Sequence, residues 1–391
     1  MSRPVRCVIM RGGTSKAVFL KEADLPADGD ERQKVILSIF GSPDPRQIDG
    51  LGGADPLTSK VAIIGPPRTG HPRAAHTHLT YTFGQVEIRE PEIDYRSLCG
   101  NISSAVGAFA VYEGLVEPTE PVTIVRAYNT NLDRVLTLEV PVRCGRPLEH
   151  GDYAVAGVPG TGAKILVDLA DTAGGATGAL LPTGNVIDRL DVPDVGAIDV
   201  SLVDIGNAHV FVRARDLGLA GTETAAEIDS RADLRDTLER IRAAGAYRMR
   251  MIADPRRSRE ESPATPILGI VSPPADYRND VAGTTIPASD IDIVSRLMFM
   301  QQAHKTYAGT STVCTGVASR IPGTVVHEAA RSDTRGRDEV RIGHPAGVIE
   351  TLTHVERVGD AYVVRRATLG RTARRIMEGY VFVPDDLHTS D

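Results

Sequence analysis

The sequence lacks tryptophan altogether, and aromatic residues make up only 4% of its 391 positions. No run approaches the roughly 18 apolar residues that a membrane-spanning helix needs. The first residues also lack the apolar stretch and the small-residue cleavage site of a signal peptide. We therefore expect a cytoplasmic protein that makes no contact with a membrane.

Cysteine is scarce, and positive charge is not in excess. Four cysteines stand far apart in the chain, at Cys7, Cys99, Cys144 and Cys314. They show neither the CxxC pairing of a zinc ribbon nor the density of a secreted disulfide scaffold, so we expect four free thiols. The 44 Lys and Arg against 51 Asp and Glu give a net charge of −7, which speaks against a nucleic-acid partner. An anionic ligand must therefore be held by a local site.

What the chain does contain is typical of a soluble globular protein with many turns, since 41% of it is hydrophobic and it carries 38 Gly and 25 Pro. Its length suits two domains. Short β-branched stretches bounded by Gly, Pro or Asp predict strands. These are Val5 to Met10, Ala17 to Leu20, Lys60 to Ile64, Leu79 to Ile88, Val122 to Tyr128, Val135 to Val142, Ile165 to Leu169, Ile198 to Val203 and Val210 to Val212.

Helical patterns separate these strands. Amphipathic helices are predicted at about 30–40 and 224–244, and the capping-box spacing from Ser289 to Asp292 predicts a helix that runs to about His304. Two further helices, Asn101 to Tyr112 and Thr310 to Ile321, consist of small and apolar residues on every side. A helix of that kind is buried all round.

One such helix in each half predicts an α+β fold of two pseudo-symmetric domains, each a curved β-sheet or barrel wrapped around a central helix. A Gly-, Ala- and Thr-rich stretch that ends near Gly184 suits the boundary, giving domains 1–184 and 185–391, with the last residues able to return to the first domain. If the N-termini of both helices face each other, their amides form a site for carboxylates.

Cys99 directly precedes the first central helix. A thiol at that place is stabilised as a thiolate by the helix dipole, which makes it available as a proton donor or acceptor. The alternative is a small packing residue, which is the commoner role of a lone cysteine.

Lys60 stands between a Gly-rich polar stretch, 49–59, and a buried strand. Burial would lower the pKa of its amine until the neutral form could act as a base. The alternative is a solvated lysine at the end of a strand. The turn Arg11-Gly12-Gly13-Thr14-Ser15-Lys16 is a second candidate, for binding an anion.

Two segments of the sequence resemble cofactor-binding motifs but lack residues that those motifs require. The segment 157–165 resembles a P-loop but has Ala163 in place of the lysine, and 50–55 misses the last glycine of a dinucleotide fingerprint. The histidines His71, His76 and His78 have no carboxylate nearby in the sequence. We therefore expect no metal and no organic cofactor.

Several segments in the right order together resemble the PrpF family, the 2-methylaconitate isomerase and 4-oxalomesaconate tautomerase group of the diaminopimelate-epimerase-like fold. The resemblance covers nearly the whole chain. The segments that carry it are 10–16, 41–60, Cys99-Gly100-Asn101, Pro182-Thr183-Gly184, Gly206-Asn207-Ala208, His344-Pro345 and 371–375.

The resemblance implies a cofactor-independent proton transfer on an unsaturated di- or tricarboxylate, with Lys60 and Cys99 as the catalytic pair. Either one can be the base. We expect the substrate to be bound by residues of the turns and of the two helix N-termini: Arg11, Thr14, Ser15, Lys16, Ser59, Gly100, Asn101, Asn207, His304, Thr310 and Ser311. A homodimer remains open.

The chain departs from the racemising members of the fold. The resemblance implies that those members carry a second catalytic cysteine before the second central helix. Ala308-Gly309-Thr310-Ser311 stands in that place, and Cys314, one helical turn further on, is expected to pack. A two-thiol racemase is thereby disfavoured. The segment 52–60 looks closer to oxalomesaconate isomerases than to 2-methylaconitate isomerases.

A different class of function stays open, because the chain could be a non-catalytic metabolite-binding or accessory protein that retains this fold. Lys60 and Cys99 argue against it, since binding alone needs neither a base nor a thiol. Exchange of substrate protons with solvent separates the two hypotheses.

Overall fold

The structure, a computed structural model, describes residues 2–385. In the first 168 residues the elements are β1 (Ser2–Gly12), β2 (Ser15–Lys21), α1 (Gly29–Phe40), β3 (Lys60–Gly65), β4 (Leu79–Val86), β5 (Ile93–Asp94), α2 (Gly100–Tyr112), β6 (Val122–Asn129), β7 (Arg134–Arg143), β8 (Arg146–Pro147), β9 (Tyr153–Ala154), β10 (Thr161–Gly162) and β11 (Ile165–Asp168).

The remaining elements are β12 (Asp188–Val192), β13 (Gly196–Ile205), β14 (Asn207–Arg213), α3 (Ala225–Ser230), α4 (Ala232–Arg248), α5 (Ser258–Glu261), β15 (Ile267–Ser272), β16 (Tyr277–Arg278), β17 (Thr285–Ile286), β18 (Ile293–Phe299), β19 (Gln302–Ala303), α6 (Gly309–Ser319), α7 (Val325–Ala329), β20 (Glu339–His344), β21 (Gly347–Val358), β22 (Ala361–Arg371) and β23 (Ala373–Pro384).

These elements form two compact units. The first runs to Ala154, takes in Gly160–Val167 and resumes at Arg371, while the second consists of Val155–Pro159 and Asp168–Gly370. Gly184, where the sequence places a boundary, lies inside the second unit. The returning segment is held in the first unit because β23 pairs with β1 along its whole length, from Ser2 opposite Pro384 to Gly12 opposite Ala373.

In the first unit the strands β23, β1, β2, β3, β4, β6 and β7 are paired in that order. The helix α2 contacts strands at both ends of this series, including β1 and β7, so the sheet curves around it. Small residues make this possible, since a Cβ on Gly107 would lie 2.7 Å from Cγ2 of Val140. The opposite face of the sheet is covered by α1.

The second unit repeats the arrangement. Its strands β12, β13, β14, β15, β18 and β20, followed by β21, show the same succession of antiparallel and parallel pairings as the first series. The buried helix α6 takes the place of α2, and a Cβ on Gly316 would meet Thr351 and Thr353 of β21. The predicted curved sheet around a buried helix is therefore present in each unit.

The helix predicted from Ser289 to His304 is wrong. A short 3-10 turn covers Ala288–Asp290, and the strand β18 follows, with every residue from Ile293 to Met298 buried. Because these residues are buried on both faces of the sheet, polar and apolar residues do not alternate along β18, and periodicity does not identify it as a strand. The helix predicted at 224–244 is two helices, α3 and α4, interrupted at Arg231, whose backbone is extended.

Candidate active site

Lys60 is the first residue of β3, and its side chain lies in the interior of the first unit at 3% exposure. Its Nζ donates a hydrogen bond to Oε1 of Gln85, the residue directly opposite on β4. Gln85 in turn donates from Nε2 to the carbonyl oxygens of Pro56 and Ser59, at 3.1 and 3.0 Å. The amide of Gln85 thus joins Lys60 to the polar loop that precedes it.

Burial lowers the pKa of Lys60, because a charged ammonium loses its hydration in the interior. Negative charge on Cys99 and on Asp55 acts in the opposite direction. The structure therefore contains the desolvated lysine that the sequence predicts. A neutral amine at this position is able to accept a proton.

The loop between α1 and β3 is held by side-chain amides. Gln47 donates from Nε2 to Oγ of Ser59 at 2.8 Å and accepts from the backbone N–H of Ala54 at 2.8 Å. Ser59 is buried and donates its own hydroxyl to the carbonyl oxygen of Val86 at 2.9 Å. These contacts give Ser59, a predicted substrate-binding residue, a role in shaping the loop.

Cys99 is the N-cap residue of α2 and is half-buried. Its carbonyl oxygen accepts hydrogen bonds from both the backbone N–H and the hydroxyl of Ser103, each at 2.9 Å, while its thiol makes no capping bond. The thiol therefore lies at the positive end of a buried helix without being used to close it. The other free thiols differ, because Cys7 and Cys314 are buried and burial raises the pKa of each.

Within residues 2–385, three groups of the first unit respond to charge on Cys99. They are Lys60 on β3, Tyr81 on β4 and Arg371 at the end of β22. Burial and then negative charge on Cys99 raise the pKa of Tyr81, a fully buried phenol. The electrostatic influence of Cys99 therefore reaches the buried amine of Lys60, while the assignment of both residues to one catalytic site stays a prediction.

Asn101 connects the N-terminus of α2 to two other segments. Its Nδ2 donates to Oγ1 of Thr14 at 3.1 Å, and its Oδ1 accepts from Nε of Arg371 at 2.6 Å. Gly13, at φ +50°, permits this approach, because a Cβ there would lie 2.7 Å from Cδ of Arg371. The predicted residues Thr14, Gly100 and Asn101 are thereby brought together.

The remaining residues of the predicted anion-binding turn have different environments. Arg11 donates from Nη1 to the carbonyl oxygens of Gly13 and Thr372, at 3.0 and 2.9 Å, so its guanidinium clasps the backbone. Ser15 is buried, and its Oγ has no hydrogen-bond partner within residues 2–385. Lys16 is half-buried, and its backbone N–H donates to the carbonyl oxygen of Leu57 at 2.9 Å.

Arg371 is a residue that reasoning from the sequence missed. It is fully buried, and burial lowers its pKa to about 10, against which charges on Tyr153 and Cys99 act. It therefore remains a cation at neutral pH. The only signal in the sequence was its place at the head of the segment 371–375.

In the second unit the N-terminus of α6 is built in a similar way. Asn207, the first residue of β14, donates from Nδ2 to Oγ1 of Thr310 at 3.1 Å. Gly206 permits the approach, since a Cβ there would lie 3.0 Å from Cβ of Thr310. An asparagine and a threonine are therefore paired at both central helices.

His209 and Ser311 form a buried pair beside this contact. Nδ1 of His209 lies 2.8 Å from the carbonyl oxygen of Asn207, so it carries the proton, and Nε2 accepts from Oγ of Ser311 at 2.7 Å. Burial lowers the pKa of His209 to about 4, so the ring is neutral at pH 7. No sequence pattern indicated a role for this histidine. His304 is also buried, and its Nδ1 accepts from the backbone N–H of Thr306 at 3.1 Å.

Comparison with known proteins places this arrangement in a family. The family model described as PrpF protein matches residues 2–384. The chain belongs to the PrpF family. This member is 54% identical to 3-methylitaconate isomerase of Eubacterium barkeri over 97% of each chain. It is 37% identical to 2-methyl-aconitate isomerase of Shewanella oneidensis, over 97% of each chain. It is 36% identical to (4E)-oxalomesaconate Δ-isomerase of a Novosphingobium species, over 96% of this chain and 97% of that one. It is an isomerase, as the resemblance implied.

Solved structures of related proteins also superpose on this chain. A crystal structure of methylitaconate-delta-isomerase superposes with a TM-score of 0.82 at 52% identity, covering 100% of this chain and 98% of that one. A hydroxyproline epimerase from Agrobacterium vitis superposes with a TM-score of 0.56 at 11% identity, covering 98% and 94%. The second match shows the fold alone, and the PrpF-family chain has the predicted α+β epimerase-like fold.

Among residues 2–385, no helix has the length and apolar character needed to span a bilayer. Within the same range, no cluster of three or more His, Cys, Asp or Glu side chains is arranged to hold a metal ion.

Proposed function

We propose that the chain isomerises a branched unsaturated di- or tricarboxylate by moving a proton and a double bond, with Lys60 and Cys99 as its acid–base pair. The observation that carries the proposal is the buried site of the first unit, where the desolvated amine of Lys60 responds to charge on the half-buried thiol of Cys99. The proposed chemistry requires an acid and a base at one substrate.

The relatives favour a dicarboxylate with a terminal methylene group, of the 3-methylitaconate type. Identity is 54% with the methylitaconate isomerase but 37% and 36% with the relatives named for methylaconitate and oxalomesaconate. The last two identities are nearly equal and do not separate the oxalomesaconate class from the methylaconitate class. The preference for oxalomesaconate isomerases, which came from the segment 52–60, therefore gains no support. We therefore expect the methylene-bearing substrate to react fastest.

The reaction balances without an external oxidant or reductant. One residue removes the proton from the saturated carbon next to a carboxylate, and the electron pair of that C–H bond delocalises over the alkene and the carboxylates. The other residue donates a proton to the terminal methylene carbon, which becomes a methyl group, and the double bond moves inward. Amides at a helix N-terminus stabilise the intermediate anion. Proton exchange with water restores both side chains, so we propose that no cofactor takes part.

The test is proton NMR in D2O of protein dialysed against a strong chelator. The panel is 3-methylitaconate, 2-methylaconitate and 4-oxalomesaconate, and the expected result is loss of the methylene signals of the first with deuterium in the new methyl group. Isomerisation without deuterium uptake would contradict solvent-exchanging acid–base residues. Activity restored only by added metal would contradict the cofactor-free route, and no exchange on any compound would favour the accessory-protein alternative.

A further inference from the structure

Arg371 places a buried positive charge beside the N-terminus of α2. Its side chain is 1% exposed, and its Nε donates to Oδ1 of Asn101 at 2.6 Å. Asn101 is the second residue of α2, and Cys99 is the N-cap of the same helix. The guanidinium and the thiol are thus joined through a single rigid helical turn.

The position of this guanidinium is fixed from two sides. Asn101 is itself held by its hydrogen bond to Thr14, and Gly13 packs against Cδ of Arg371 at a distance that leaves no room for a Cβ. Asn101 is neutral, so its hydrogen bond orients the guanidinium without cancelling the positive charge. An arginine that is buried and oriented in this way acts as a permanent local cation.

Cys99 is the group at this end of α2 that can become an anion. Negative charge on Cys99 raises the pKa of Arg371, in opposition to burial. A cation held at the N-terminus of a helix attracts an anion that forms there, and the hydrogen bond to Asn101 holds the guanidinium at that end of α2. In the part of the chain that the structure describes, Lys60 from β3 and Tyr81 from β4 also respond to charge on Cys99. Burial lowers the pKa of both cations, and Arg371, with a pKa of about 10, keeps its charge through the neutral range.

We propose that Arg371 is a positioning residue whose fixed charge stabilises the thiolate of Cys99 and so sets the pH range in which this thiol exchanges protons. The proposal deepens the proposed function, because it assigns to Arg371 control over one member of the acid–base pair. It is tested on the free enzyme, so the test does not depend on turnover.

The measurement is the rate at which iodoacetamide alkylates Cys99 between pH 6 and 10, followed by mass spectrometry of the peptide that contains Cys99. Arg371→Met should move the midpoint of this pH profile upward by about one unit, because the thiolate loses the attraction of a nearby positive charge. Arg371→Lys, which keeps the charge, should recover most of the shift. Cys144 is exposed and serves as the reference thiol within each sample.

Arg374→Met is the matched control, because Arg374 is an exposed arginine of the same segment. In Arg374→Met the midpoint of the pH profile of Cys99 alkylation should stay at the wild-type value. The comparison is repeated in a Lys60→Gln background, where the shift caused by Arg371→Met should persist if the two cations act separately. If Arg371→Met does not fold, Asn101→Ala releases the guanidinium from α2 and should raise the midpoint in the same direction.

An unchanged midpoint in Arg371→Met, or in Asn101→Ala where the first variant does not fold, would overturn the proposal. A shift of equal size in Arg374→Met would also overturn it, because the effect would then be one of general charge. Turnover of Cys99→Ala reports separately on the proposed function. Full turnover there would end the catalytic role of Cys99 and leave the midpoint comparison to decide whether Arg371 controls the thiol.

Discussion

Lys60 and Gln85 face each other across β3 and β4, and Nζ of Lys60 donates to the side-chain oxygen of Gln85. The acceptor is a neutral amide, which binds an amine or an ammonium without imposing a charge on it. A carboxylate in the same place would hold the lysine protonated. The identity of residue 85 therefore decides how easily Lys60 loses its proton.

We accordingly expect Gln85→Glu to raise the pKa of Lys60 by about one to two units. If Lys60 is the base, the ascending limb of the pH profile of kcat/KM moves to higher pH by that amount, since activity needs the neutral amine. If Lys60 is the acid, the descending limb moves instead. Gln85→Met, which adds no charge, is the control and should move neither limb upward. A Gln85→Glu profile that coincides with wild type would remove Lys60 from the proton transfer.

A second prediction concerns the close packing at Gly13. Gly13→Ala should lower the free energy of unfolding by at least about 1 kcal/mol more than Gly160→Ala, measured by urea denaturation. Both glycines have positive φ, at +50° and +75°, so the backbone strain is matched. Only at Gly13 would the new Cβ meet Asn101 and Arg371, whereas nothing lies within 4 Å at Gly160. Equal losses in the two variants would show that the contact with Arg371 has room to relax.

Local patterns in the sequence were sufficient to predict much of the first unit. The all-round apolar run after Cys99 forms the buried helix that the sequence predicts, and the strand that begins at Lys60 is buried in the structure as predicted. The place of Lys60 at the head of that strand left both a buried and a solvated lysine open, and the structure shows it buried. The catalytic roles of the two residues stay predictions.

Contacts between distant segments could not be predicted in this way. Arg371 reaches Asn101 across 270 positions, and His209 reaches Ser311 across 102. Such pairs depend on the return of β23 to the first unit and on the register of β14 beside α6, which no local pattern contains. The error at β18 has a related cause, because burial on both faces removes the alternation that identifies a strand.

A third prediction follows from His209. Its pKa is about 4 in the folded protein and about 6.5 when unfolded, so between these values only the unfolded chain binds the proton. Above pH 6.5 the ring is neutral in both states and does not change the free energy of unfolding. As the pH falls from 6.5 towards 4, protonation of the unfolded chain lowers the free energy of unfolding by up to about 1.4 kcal/mol per pH unit. Urea denaturation at pH 7 and pH 5 should therefore show a smaller acid-induced loss in His209→Gln than in wild type.

The control for this comparison is His354→Gln. Hydrogen bonds to Asp338 and Glu356 raise the pKa of His354, which is an exposed side chain. The His354→Gln variant should therefore lose at least as much stability between pH 7 and pH 5 as wild type does. An equal loss between pH 7 and pH 5 in wild type and His209→Gln would mean that the ring of His209 is charged or solvated in the folded protein.

The central claim is that Lys60 and Cys99 move the substrate proton, and turnover of Lys60→Ala and Cys99→Ala tests it most directly. With 3-methylitaconate followed by NMR in D2O, each folded variant should be slower than wild type by at least about two orders of magnitude, the range expected for a general acid or base. Cys7→Ala, Cys144→Ala and Cys314→Ala, where folded, should retain wild-type turnover. Wild-type rates in either Lys60→Ala or Cys99→Ala would contradict the account.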